Sequence, residues 1–254
     1  VFPFSGALAR SRTPRQAVVA TALCAAVSAA LAGCSMDEDP DAGTNGVGKL
    51  SAEKIENRTG KAVKNADAVR LTGDVVAKGR TYKLDMRLKK DGGSGRVTTE
   101  DSTFELLRVG KQLFLKADAD FWKRRKGEAA QEDAEAAQKL DQKYVKVPTD
   151  DPAYRQFSGF TDKDVLLDGL FKLHGELSKG KRGNLGGLRT IRIAGSGGSG
   201  GMLDVSLEGT PYPLRVHRAG GAGVLRLTDW NEDFELSEPE KGDIVDYGQQ
   251  IQGG

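Results

Sequence analysis

The stretch Gly195-Ser196-Gly197-Gly198-Ser199-Gly200-Gly201 holds two spacings that elsewhere do chemistry. Gly195, Gly197 and Gly200 fit the G-x-G-x-x-G pattern that lets a backbone approach a pyrophosphate, and Gly197-x-Ser199-x-Gly201 fits the tight turn that presents a nucleophilic serine. Both chemistries need a strand that runs through the turn into a helix, and no helical pattern follows Met202. A flexible hairpin between Ala194 and Met202 accounts for every glycine. His174 or His217 with Ser199 or Ser206 and an acid would make a triad, but nothing in their spacing requests it. Zinc would need further histidines or cysteines at ligand spacing. Asp118 and Asp120 before Phe121, and Asp229 and Glu232 around Trp230, lack the loop spacing of a calcium site or a glycosidase pair. We therefore expect no enzyme, no catalytic residues, no metal and no cofactor. Lys123-Arg124-Arg125-Lys126, beside Phe121 and Trp122, could meet anionic lipid headgroups; it also reads as a solvated turn ahead of an acidic helix.

Two cysteines remain, and both lie early. Arg10, Arg12 and Arg15 precede an apolar run from Ala17 to Gly33 broken only by Thr21 and Ser28, the layout of a secretory signal peptide. The run is marginal for a membrane span, which takes about 20 apolar residues. Cys24 lies inside the run and would leave with it. Leu31-Ala32-Gly33-Cys34 resembles the lipobox of bacterial lipoprotein precursors. That resemblance implies a diacylglycerol on the Cys34 thiol, cleavage before it, and a fatty acyl group such as palmitate on the freed amine. Small residues ahead of the cysteine suit an extended segment entering a protease cleft; the alternative is ordinary Ala-x-Ala cleavage nearby. Removing residues 1–33, which hold three arginines and no acid, takes the formal charge from +2 to −1. The basic balance thus belongs to the leader, and nucleic acid is not an expected partner. The expected location is the extracytoplasmic side of the cell membrane, held by lipid at Cys34.

The elements that follow must supply any site. Residues 34–48 are acidic and glycine-containing and read as a flexible polar tether. Residues 49–248 read as one domain and 249–254 as a disordered tail. Ser51 as N-cap, with Leu50 and Ile55 as a hydrophobic staple, opens an amphipathic helix to about Asp67. From Val69 the apolar period becomes two, with strands at 69–77, 82–88, 97–99, 104–109 and 112–116, and Asp91–Gly95 as a turn. A Glu- and Ala-rich helix runs from Glu128 to about Leu140, then a strand at 144–148. Thr161 with Asp164 suggests a capping box ahead of a short apolar helix ending near Phe171. Strands follow at 188–194, 202–207, 214–216 and 224–227. Nine or ten strands with few helices predict an α+β fold, a long bent antiparallel sheet with helices against one side. Such a sheet either packs a filled core or encloses an apolar space.

The order of elements resembles exported actinobacterial lipoproteins of the LppX/LprG type and, remotely, LolA-like lipoprotein carriers; its texture is similar to that of Streptomyces lipoproteins. The resemblance rests on Leu31-Ala32-Gly33-Cys34, the tether, Val69-Arg70-Leu71-Thr72-Gly73, Phe104 to Val109, Tyr144 to Pro148 and Pro211 to Arg215. It implies a strongly bent half-barrel with helices over the concave side, and a lipid or lipoglycan cargo held between them. Leu84, Met86, Phe104, Leu106, Leu166, Leu170 and Phe171 are the cavity residues expected on that basis. A non-catalytic structural or protein-interaction module of the envelope is the other reading, with protein partners unspecified.

Overall fold

Apolar residues at alternate positions put one face of each strand against a core and leave the other wet. In the computed structural model, which describes residues 39–126 and 131–246, this pattern builds twelve strands. They are β1 (Ala68–Ala77), β2 (Arg80–Lys89), β3 (Gly92–Thr98), β4 (Thr103–Val109), β5 (Gln112–Ala117), β6 (Tyr144–Val147), β7 (Leu177–Leu185), β8 (Leu188–Gly195), β9 (Met202–Ser206), β10 (Pro213–His217), β11 (Gly223–Thr228) and β12 (Ile244–Asp246). All join one strongly curved, unclosed sheet in the order β12-β6-β5-β4-β3-β2-β1-β11-β10-β9-β8-β7. Every neighbouring pair is antiparallel except β12, which runs parallel to β6. The expected α+β class, a half-barrel of LolA-like form, is the observed one.

Register makes the inner face continuous. Leu71 stands opposite Met86 and Leu227, Val97 opposite Leu84 and Phe104, Leu115 opposite Leu106 and Val145, and Leu203 opposite Val216 and Ile193. All are buried in one hydrophobic cluster. Three groups of helices cover that face. α1 (Ala52–Asn65) lies over β7 and β8, with Ile55 fully buried and Leu50 packed against the same core. α2 (Ala119–Lys126) packs on α3 (Gln131–Lys139). α4 (Pro152–Thr161) lies over β2, β3 and β4 and is followed by α5 (Lys163–Leu170).

Three cations, two of them buried, fasten these layers. Arg108, inward on β4, donates from Nε to Thr161 Oγ1 at 3.2 Å, from Nη2 to the Thr161 carbonyl at 2.9 Å, and from Nη1 to the Gly110 carbonyl at 2.9 Å. It thereby satisfies the open C-terminal carbonyl of α4, where a helix carries partial negative charge. Lys163, 3% exposed, reaches the Val63 carbonyl at the end of α1 and the carboxylate of Asp164. Lys179 on β7 donates to the carbonyls of Gly48 and Leu50 ahead of α1.

Several elements differ from the sequence reading. Gly92, Gly93 and Gly95 belong to β3, not to a turn. A Cβ on Gly93 would sit 2.9 Å from the Arg87 carbonyl oxygen and 3.1 Å from that of Thr161, and one on Gly95 would sit 2.1 Å from the Asp85 carbonyl oxygen. Close backbone approach, not chain reversal, needs these glycines. Phe121 to Lys126 form part of α2, so the basic run stands on a helix and not in a turn. α4 was not expected, and α5 begins one residue later than the proposed box: Asp162, not Thr161, is the N-cap, its carboxylate accepting from Val165 N at 3.0 Å. β7 and β12 add to the expected strands. Residues 39–48 of the stretch read as a free tether are docked: Asp41 pairs with Arg182, Asn45 bonds to the Ser206 and Leu207 carbonyls, and Val47 is buried. The leader 1–33, Cys34, residues 128–130 of the Glu- and Ala-rich helix, and the tail 249–254 lie outside the described residues.

From Asp229 the chain crosses one rim of the sheet. Asp233 pairs with Lys89 at the end of β2, Phe234 lies under the Lys89 ammonium at 4.9 Å, Glu238 meets Gln112 at the start of β5, and Asp243 pairs with Lys143 beside β6. β12 then covers the edge that β6 would otherwise expose.

Candidate ligand-binding cleft

The start of α4 is written locally. Asp151 accepts from Ala153 N at 2.7 Å as N-cap, and Pro152 takes the first helical position, where its missing N–H costs nothing. Phe157 and Phe160, three apart, then project from one side of the helix. Tyr154 donates its hydroxyl to the Lys111 carbonyl at 2.9 Å, while Arg108 holds the far end, so α4 is fixed at both termini.

Below it the inner face carries an aromatic cluster. The Phe104 ring lies 5.4 Å from Phe157 and 5.4 Å from Phe121, and Phe121 meets Trp122 edge-on at 5.1 Å. Tyr82 lies 6.2 Å from Phe160. These rings wall two spaces. The larger is an open cleft of about 790 Å³, floored by Val75, Tyr82, Phe104, Phe121, Phe157 and Phe160. The smaller, about 180 Å³, lies between Leu115, Trp122, Leu140, Val145, Val147 and Phe157. Phe157 borders both. Trp122 is 8% exposed, and its indole Nε1–H has no acceptor among the described residues. The larger cleft joins this aromatic floor to a polar border of Lys78, Arg80, Thr99, Asp101, Ser102, Arg155 and Gln156, a lining that suits a ligand with an apolar body and a polar end.

Of the seven cavity residues expected from the sequence, Phe104 stands on the cleft wall. Leu84, Met86 and Leu106 lie in the inner core, each 2% exposed or less. Leu170 is buried and Leu166 and Phe171 are half-buried against the same core, and none of these six lines either space. Tyr82, Phe121, Trp122, Phe157 and Phe160 were not foreseen as lining. The Asp151-Pro152 start and the three-residue spacing of Phe157 and Phe160 were the signal that would have found the last two.

Among the described residues, no hydrogen bond joins Ser199 or Ser206 to the side chain of His174 or His217. Ser206 donates to the Glu208 carbonyl and Ser199 to the Ser196 carbonyl, whereas His174 meets the glycine loop through its backbone. No group of three or more potential metal ligands occurs among the described residues.

The comparisons bear on the fold. No protein-family model matches the chain, and no curated protein matches it by sequence. Among solved structures, LprF from Mycobacterium bovis superposes with a TM-score of 0.51 at 15% identity, over 74% of this chain and 96% of that one. The chain shares the fold of LprF. The Mycobacterium tuberculosis lipoprotein LppX aligns over 72% of this chain and 97% of its own at 15% identity, with a TM-score of 0.43. No described helix is long and apolar enough to cross a membrane.

The outer face holds one buried charge cluster. Asp204, 3% exposed, accepts from Arg192 Nε at 2.7 Å and Nη2 at 3.1 Å, and from Arg215 Nε at 2.7 Å. Burial pushes its carboxyl up, but the hydrogen bonds and charges of the two arginines outweigh this and hold it below the ordinary 3.8. A depressed folded value contributes stability that is complete above the unfolded pKa and is lost as pH falls through the folded one. Asp204→Asn is therefore expected to lower stability at pH 7 by about 1–3 kcal/mol, and to lose less than the wild type on going to pH 3. Urea unfolding of both proteins at the two pH values checks this.

Proposed function

We propose that this protein binds or carries a lipid or similar amphiphile, its hydrocarbon held in the cleft between the inner sheet face and α4. The observation that carries the reading is the 790 Å³ aromatic-floored cleft, adjoining a second apolar space across a single side chain, Phe157. The mechanism is partition: each methylene leaving water for such a cleft contributes about 0.8 kcal/mol. No bond need be made or broken. The fold shared with LprF agrees with this reading.

The carrier would work outside the cytoplasm, anchored to the membrane through lipidated Cys34. The arginines, the apolar run and Leu31-Ala32-Gly33-Cys34 occur in the order such processing requires. Several acyl chains hold a protein to a bilayer firmly where one does not. Intact mass of the chain from a membrane fraction is expected to start at Cys34 and to include a diacylglycerol and an amide-linked acyl group; an unmodified chain there would remove the anchor from the account.

A patch on the outer face supports the alternative of a protein-interaction module. Leu188 is 39% exposed beside Leu185 and Leu214, next to Tyr212 stacked on Trp230 at 4.4 Å. Native mass spectrometry of protein purified without detergent separates the two. The carrier reading expects copurifying lipid, or its uptake on exposure to vesicles; neither occurring would leave the patch as the better lead.

A further inference from the structure

The mouth of the cleft has its own chemistry. Lys78, from the turn that joins β1 to β2, Arg80, the first residue of β2, and Arg155, from α4, border it together with one acid, Asp101. All three cations are exposed, and none has an ion-pair partner among the described residues. Elsewhere on the domain Arg70, Arg96, Arg192 and Lys143 each pair with a carboxylate. Lys78 has a φ of 50°, followed by Gly79 at 74°. A two-residue hairpin turn of this hand favours asparagine or glycine at its first position. A lysine held there bears local strain, and strain of this kind collects at functional sites.

We propose that these three cations form a headgroup site, so that the cleft takes an anionic amphiphile whose phosphate or similar group rests at the mouth while its chains lie among Val75, Tyr82, Phe104 and Phe160. Charge and geometry agree. Arginine offers a planar fork to phosphate oxygens and lysine a mobile point charge. The groups come from two separate elements, the β1–β2 hairpin and α4, that border one apolar floor, as a ligand with one charged end and a hydrocarbon body would require. The inference rests on the reading of the cleft as an acyl-chain site and adds the class of headgroup.

The test uses detergent-free protein and phosphatidylcholine vesicles carrying a trace of labelled dioleoylphosphatidic acid or of labelled dioleoylglycerol, with label on the protein measured after the vesicles are removed. The wild type is expected to take phosphatidic acid at least about tenfold better than the chain-matched diacylglycerol, with the preference shrinking as salt is raised. The triple variant Lys78→Gln, Arg80→Gln, Arg155→Gln alters only exposed side chains and is expected to take both at the diacylglycerol level. Equal uptake of the two lipids by the wild type overturns the headgroup site and leaves the acyl cleft standing. Uptake of neither overturns the cleft itself. Protein that binds the vesicles without acquiring label would reassign the cations to membrane docking. Inorganic phosphate that displaces the bound lipid at the lipid's own concentration would reassign them to a free-anion site.

Discussion

Phe157→Ala is expected to lower the unfolding free energy by about 3–5 kcal/mol, the usual cost of truncating a buried phenylalanine to alanine. The side chain is 3% exposed, stacks edge-on against Phe104, and belongs to the same core as Leu115 and Leu167. The loss should have a functional counterpart of opposite sign. Phe157 borders both apolar spaces, so its removal joins about 790 Å³ to about 180 Å³. A chain that ends against the ring in the wild type could then extend beneath α3. Each further methylene so buried gains about 0.8 kcal/mol, or about fourfold in affinity. The variant should therefore shift preference toward longer acyl chains while being less stable. Urea unfolding gives the first quantity, and uptake of a series of saturated fatty acids gives the second. If the alanine variant folds poorly, Phe157→Leu, expected to cost about 1–2 kcal/mol, carries the same chain-length test.

Arg108→Ala is the second large effect, expected at about 2–5 kcal/mol, because each buried acceptor left unsatisfied costs about 1–3 kcal/mol. The guanidinium is almost fully enclosed and bonds the hydroxyl and carbonyl of Thr161, itself fully buried, and the Gly110 carbonyl. Its loss leaves those acceptors without a donor and frees one end of the helix that roofs the cleft. Arg108→Lys should recover less than half of the deficit, because an ammonium cannot address three directions with the planar fork of arginine. Unfolding measurements on the two variants check the ratio. Hydrogen exchange in α4, compared with exchange in β8 and β9, shows whether the loosening is confined to the roof.

Much of the sheet was legible because one wet face imposes a period of two. Val69, Leu71 and Val75 with Leu84, Met86 and Leu88 gave β1 and β2 directly. β7 was not legible, because Leu177-Ser178-Lys179-Gly180-Lys181-Arg182-Gly183-Asn184-Leu185 has no apolar alternation. It is an edge strand whose inward groups are Lys179 and Arg182, satisfied by residues 41–50 that local pattern cannot reach. The glycines of β3 misled in the opposite direction. Their reason is a tertiary contact, the approach of Thr161 and Asp85 carbonyls, whereas glycine density by itself suggests reversal. The cleft was half legible: alternation tells which side chains face inward, so it found Phe104 along with Leu84 and Leu106. It does not tell which part of the inner face is filled, and that is decided by where α2 and α4 fall.

The central claim is that hydrocarbon lies between the inner face and α4. A phosphatidic acid bearing a photoactivatable diazirine midway along one acyl chain, equilibrated with the detergent-free protein and then irradiated, reports where the chain sits. The account predicts adducts in peptides containing Tyr82, Phe104, Phe121 and residues 155–160. Adducts confined to the outer-face peptides around Tyr212 and Trp230 would contradict it.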